Sequence, residues 1–112
     1  MNDNDQLLAS VEREVLTWPG VGKGPGRFNS TAYLLGRREI GHVHRNGVAD
    51  LPFPRAVHDE LIAAGRAQPH QAGVPGVVSV WIDDPDAVDR AVALFRLNYD
   101  RAKAAADDRE PR

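Results

Sequence analysis

The chain has 112 residues, 14 basic and 16 acidic side chains, four histidines and no cysteine. That length is one domain. The lack of cysteine excludes disulfides, thiol chemistry and cysteine-type zinc sites, and a net charge of −2 gives no global attraction to phosphate backbones. No run approaches the ~20 apolar residues of a membrane span, and the acidic start Met1-Asn-Asp-Asn-Asp5 is the opposite of a signal peptide's basic one, so a cytoplasmic protein is expected.

Asp5 to Leu16 reads as an amphipathic helix, with Leu7, Leu8, Val11, Val15 and Trp18 at helical spacing and Asn4 or Asp5 as cap. Pro19 ends it. Pro19-Gly-Val-Gly-Lys-Gly-Pro-Gly26 is a turn-rich link in which Val21 can start a short strand. Its glycines lack the strand before and the helix after that a phosphate loop requires. Phe28 to Leu35 favours a strand through its alternating aromatic and β-branched residues. After a turn at Gly36-Arg37, Glu39 to His44 forms a second strand. Asn46-Gly47 signals a two-residue hairpin turn, and Val48 to Leu51 returns as a third strand.

Pro54 suits the first turn of a helix whose buried stripe is Val57, Leu61, Ile62 and Ala64 and whose end is Gly65. Gln68 to Gly76 is loop, and Val77 to Ile82 is an apolar strand. Asp83-Asp84-Pro85-Asp86 is a helix start, followed by Val88, Val92, Phe95, Tyr99 and Ala102 at helical spacing, so a long helix is expected over Pro85 to Ala105 with a frayed tail from Asp107 to Arg112. The order α-β-β-β-α-β-α predicts an α+β domain: a small antiparallel sheet of about four strands with helices on one face.

The candidate site lies on the hairpin. A two-residue turn pairs Arg45 with Val48, His44 with Ala49, Val43 with Asp50 and His42 with Leu51. His42 and His44 then share a face with Ile40, Ala49 and Leu51, while Glu39, Val43 and Asp50 share the other. On that register Asp50 acts on the opposite face unless a bulge breaks it. His-x-His on a strand is a metal-ligand geometry that needs a third ligand, for which His70 is the best placed; the expected set contains no metal and no cofactor. His58 reads as a solvated helix residue, and Trp18 and Trp81 as packing.

Arg38-Glu-Ile-Gly-His-Val-His44, Ala49-Asp-Leu-Pro-Phe-Pro54, Asp59-Glu-Leu61, Gly65-Arg-Ala-x-Pro-His70 and Leu94-Phe-Arg-Leu-Asn-Tyr99 together resemble small bacterial members of the luciferase-domain family. That family is named for the fungal luciferases that oxidise 3-hydroxyhispidin. The resemblance spans Pro19 to Tyr99, and it departs at Gln71 and at Pro75-Gly-Val77, where the bacterial pattern has a second histidine and Ser-Gly-Trp. It implies a ligand pocket at His42, His44 and His70, and oxygen chemistry on an enolic or aromatic ligand without a dedicated cofactor. In that reaction a histidine takes the enolic proton and a neighbouring histidine or arginine holds the enolate. Arg38, Arg45 and Asp50 complete the ligand-binding set. The ending Val77 to Tyr99 also resembles the MmcQ/YjbR-type fold.

Three functions follow in order: a small-molecule site at the histidines, a non-catalytic interaction module such as a homodimer built through an exposed strand, and a nucleic-acid-binding domain. The negative charge and the scattered arginines argue against the last.

Overall fold

The computed structural model describes residues 3–109. Helix α1 is Asp3–Val15, and three strands follow: β1 (Val21–Pro25), β2 (Thr31–Leu35) and β3 (Arg38–Val43). Next come β4 (Val48–Pro52), α2 (Arg55–Ala63), β5 (Gln68–Pro69), β6 (Val77–Trp81) and α3 (Pro85–Arg109). Of the frayed tail expected over Asp107 to Arg112, Asp107–Arg109 instead continue α3, and residues 110–112 lie outside the described residues. Among the described residues no helix is long and apolar enough to cross a membrane.

The domain is α+β, as the element order predicts, but the antiparallel sheet has six strands in the order β1-β2-β3-β4-β6-β5. The two extra strands are the edges. β1 is Val-Gly-Lys-Gly-Pro and holds its place by backbone pairing, Val21 with Leu35 through Pro25 with Thr31. β5 is two residues long, pairing Gln68 with Ser79 and Pro69 with Val78. Neither has the apolar alternation that marks a strand in a sequence. β2 is shorter than the aromatic run suggests. Arg27–Asn29 is a single tight turn with left-handed backbone at Phe28 (φ 55°) and Asn29 (φ 65°), and it leaves the Phe28 ring exposed.

Helix α3 packs across β2, β3, β4 and β6, α1 packs on α3, and α2 on β6. Phe95 is fully buried and meets Tyr33 edge-on, with centroids 5.6 Å apart. Gly41 faces that ring: a Cβ there would stand 2.5 Å from Phe95 Cε1. Trp18 stacks near Tyr99 at 5.5 Å, and the Tyr99 hydroxyl donates to the Pro19 carbonyl at 2.7 Å, tying α3 to the end of α1. Gly41 therefore marks the helix-covered face of β3. His42, its neighbour, is on the open face by the alternation of strand side chains.

Candidate functional site

Two irregularities in β3 and its turn decide which side chains meet. The first is the hairpin. His44 N–H donates to the Val48 carbonyl at 2.8 Å, Gly47 N–H donates to the His44 carbonyl at 3.0 Å, and Gly47 takes φ 103° while Asn46 does not enter the left-handed region. The connection is thus three residues, Arg45-Asn46-Gly47, with glycine in the left-handed position that closes such a loop. The two-residue turn expected from Asn46-Gly47 is corrected by one residue, so His42 pairs with Asp50 and Val43 with Ala49. A slip of one exchanges the faces of the returning strand. Asp50 comes to the histidine side, and Ala49 and Leu51 go to the core.

The second irregularity is a bulge. β2 pairs Tyr33 with Gly41 but Leu34 with Glu39, leaving Ile40 as an extra residue of β3. The bulge frees the Ile40 carbonyl, which accepts from Asn98 Nδ2 of α3 at 2.9 Å; the same amide donates to the Pro52 carbonyl at 3.0 Å. It also turns Glu39, expected on the opposite face, to the side of His42. Glu39 Oε2 lies 3.0 Å from His42 Nδ1.

The result is a cluster around one carboxylate. Asp50 is 3% exposed. Its Oδ2 lies 3.0 Å from His44 Nε2, 3.4 Å from His42 Nε2 and 3.5 Å from His70 Nε2. Its Oδ1 accepts from the Ser79 hydroxyl at 2.6 Å. The His42 and His44 rings meet edge-on with centroids 4.9 Å apart. His70 arrives from the residue after β5, and its Nδ1 accepts from the Ala72 backbone N–H at 3.1 Å. That contact puts the hydrogen of the neutral ring on Nε2, the atom facing Asp50.

Electrostatics follow the geometry. Hydrogen bonding to Asp50, then to Glu39, raises the His42 ring from 6.5 to about 9 against the lowering effect of burial. Burial pushes the Asp50 carboxyl up, but hydrogen bonds from His42 and Ser79 and the nearby His70 and His42 charges outweigh it and hold the group at about 2. Asp50 is therefore an anion, and His42 is its cationic partner at neutral pH.

The sequence-derived set splits. His42, His44, His70 and Asp50 come together. Arg38 opens β3 at its exposed end and makes no hydrogen bond or ion pair with the imidazoles among the described residues. Arg45 is exposed in the turn and shares a cavity wall with His44, away from His70. His58, half-buried, contacts Asp59 at 2.9 Å instead of standing free in solvent. Glu39 and Ser79 were not in the set. Ser79 has a visible signal, the lone polar residue inside Val77-Val-Ser-Val-Trp-Ile82; Glu39 has none, because its position depends on the bulge.

Asp50, His44, His70 and Ser79 of the cluster, but not His42, line a concavity of about 180 Å³ together with Asn46, Val48 and Gln71. His70 also lines a neighbouring hollow of about 300 Å³ with Arg55, His58 and the loop through Val74 and Pro75. The first is smaller than a drug-sized pocket. No curated protein and no solved structure matches the chain. A family model described as the luciferase domain matches residues 37–98, more than half of the chain, and that span contains both strands of the hairpin, His70, Ser79 and the first half of α3. The chain belongs to the luciferase-domain family.

Proposed function

We propose that the open face of the sheet binds a small molecule through an acidic oxygen, enolic or phenolic, and carries out proton transfer on it. The observation that supports this most is the convergence of three imidazole Nε2 atoms on Asp50 Oδ2, within 3.5 Å, with Asp50, His44 and His70 in the wall of an open concavity. A sheet of this size does not need a buried carboxylate for its core, since burying a charge is unfavourable unless several partners satisfy it. Here the partners are three imidazoles, whose ring nitrogens can both give and take a proton. An enolic hydrogen brought against them can pass to an imidazole, and the oxyanion is then held by the remaining N–H donors. His70, with its hydrogen on Nε2, is the donor placed between the two hollows.

The test is binding of 4-hydroxy-2-pyrone and of its O-methyl ether, followed by amide chemical-shift perturbation. The acidic pyrone should bind and shift Asp50, Ser79 and Gln71; the ether should bind at least about tenfold more weakly, as expected when a buried polar site loses its partner. His44→Ala and His70→Ala should each weaken the pyrone by a similar factor with the fold intact. Equal affinity for pyrone and ether, or shifts confined to other surfaces, refutes the reading.

A further inference from the structure

The atoms facing the cluster are of two kinds, and they differ in what their other side is bonded to. His42 has Nδ1 against Glu39 Oε2 at 3.0 Å, so Nδ1 carries the ring hydrogen when neutral and Nε2 offers a lone pair. Asp50 has Oδ1 fixed by the Ser79 hydroxyl at 2.6 Å and presents Oδ2. His70 is the reverse, with Nδ1 accepting from the Ala72 N–H and Nε2 a donor. One ligating atom from each of His42, His44 and Asp50 falls within 4.8 Å of the others.

We propose that His42, His44 and Asp50 bind a divalent first-row transition-metal ion, with His70 outside its coordination shell. Donor atoms about 2.0–2.1 Å from one ion stand roughly 3.0–3.4 Å from each other in octahedral or tetrahedral arrangements. Asp50 Oδ2 stands 3.0 Å from His44 Nε2 and 3.4 Å from His42 Nε2. A ligating histidine characteristically gives its other N–H to a carboxylate, which fixes the tautomer and raises the ligand's basicity; Glu39 does this for His42. Two imidazoles and one carboxylate, with no thiolate in the chain, favour iron, manganese, cobalt, nickel or zinc over calcium or magnesium. Both ligand-bearing strands are held in register by their neighbours, β3 by β2 and β4 by β6.

Three protein ligands leave positions open on the cavity side, where an anionic or chelating oxygen binds. The ion then favours the deprotonated oxygen, whose proton leaves to solvent because both ligating imidazoles are held on the ion, and the His70 N–H donates to that same atom. For what the ion does, the inference rests on the ligand-site reading above; for the binding of the ion it does not.

The experiment uses the full chain without an affinity tag, stripped with EDTA, then titrated with Co(II) by visible absorption and with Zn(II) by calorimetry. A single ion should bind with ligand-field bands of low-symmetry coordination. His42→Ala and His44→Ala should each lower affinity by about 100-fold and Glu39→Gln by about tenfold. His70→Ala and the control His58→Ala should leave it within a few-fold. The buried Asp50→Asn chain is scored only if its circular dichroism is native; the half-exposed histidine variants keep the test decisive without it. Absence of a bound ion, affinity unchanged in His42→Ala and His44→Ala, or His70→Ala losing as much as His44→Ala, overturns the site. Pyrone binding to the EDTA-stripped protein at full strength removes the ion's role and spares the ligand reading. Tight Co(II) binding with no response to pyrone does the reverse.

Discussion

Neighbouring residues of β4 and β6 face opposite surroundings. Ala49, Leu51, Val78 and Val80 turn toward the helices and are between 0% and 4% exposed; Asp50 and Ser79, between them, turn away and are just as buried, at 3% and 2%. The first set is buried by α3 and its apolar partners. The second is covered by polar groups, chiefly the imidazoles gathered on Asp50. Burial on the helix side is the hydrophobic effect and makes the fold. Burial on the other side works against desolvation and is held by hydrogen bonds.

Substitutions on the two sides should therefore behave differently. Leu51→Ala, on the helix side, should lower unfolding free energy by about 2–5 kcal/mol in urea denaturation, with no effect on pyrone or Co(II) affinity in the fraction that stays folded. Gly41→Ala forces a methyl against the Phe95 ring and should lower stability by about 1–3 kcal/mol. Unlike Leu51→Ala it should also disturb His42, its neighbour on the open face. Ser79→Ala strips a partner from buried Asp50 and should lower stability by about 1–2 kcal/mol, with a larger proportional loss in Co(II) affinity. If Leu51→Ala and Ser79→Ala move metal and ligand binding equally, the two faces are not distinct and the comparison fails.

The pH dependence of the metal-free protein sharpens the same contrast. The His42 ring is raised from 6.5 to about 9, so its contribution is fully present below pH 6.5 and is lost as pH rises to about 9. Asp50 is lowered from 3.8 to about 2, so its contribution is present above pH 3.8 and is lost as pH falls through about 2. The two groups titrate as a pair. The alkaline loss should be on the order of 1–2 kcal/mol, because the half-exposed ring is partly screened. His42→Ala should abolish that slope, whereas Leu51→Ala should keep it at a lower stability. The smallest effect expected is from Arg38→Ala, at the exposed start of β3, within about 0.5 kcal/mol and without change in either affinity.

The fold was largely legible because its main elements obey periodicity. α1 and α3 follow from apolar spacing, and the strands at Thr31–Leu35 and Val77–Trp81 from aromatic and β-branched runs, the first starting three residues later than its run. β1 was legible only at its start, Val21, since the rest of Val-Gly-Lys-Gly-Pro joins the sheet through its backbone and carries no pattern. His42, His44 and His70 can be picked out as a group, but strand parity with a two-residue turn puts the partner of all three on the wrong side. Asn46-Gly47 names a turn without fixing whether two or three residues close it, and that one residue decides where Asp50 points. Glu39 was hidden for the same kind of reason, since Ile40 is inserted against β2 and nothing in Arg38-Glu-Ile-Gly announces it. Positions read from strand parity fail wherever a single residue is added, and both such additions here lie beside the site.

Asn98 gives this arrangement a rear mounting. One amide on α3 holds the carbonyls of Ile40 and Pro52, on two different strands, from the side of the sheet that the imidazoles do not touch. The curvature of β3 that aims Glu39 at His42 is thus fastened through the core, and a change in how α3 seats would re-aim the front face without any residue there being altered. If the proposed function holds, substitutions on the buried face of this helix would change what the imidazole cluster accepts without touching it.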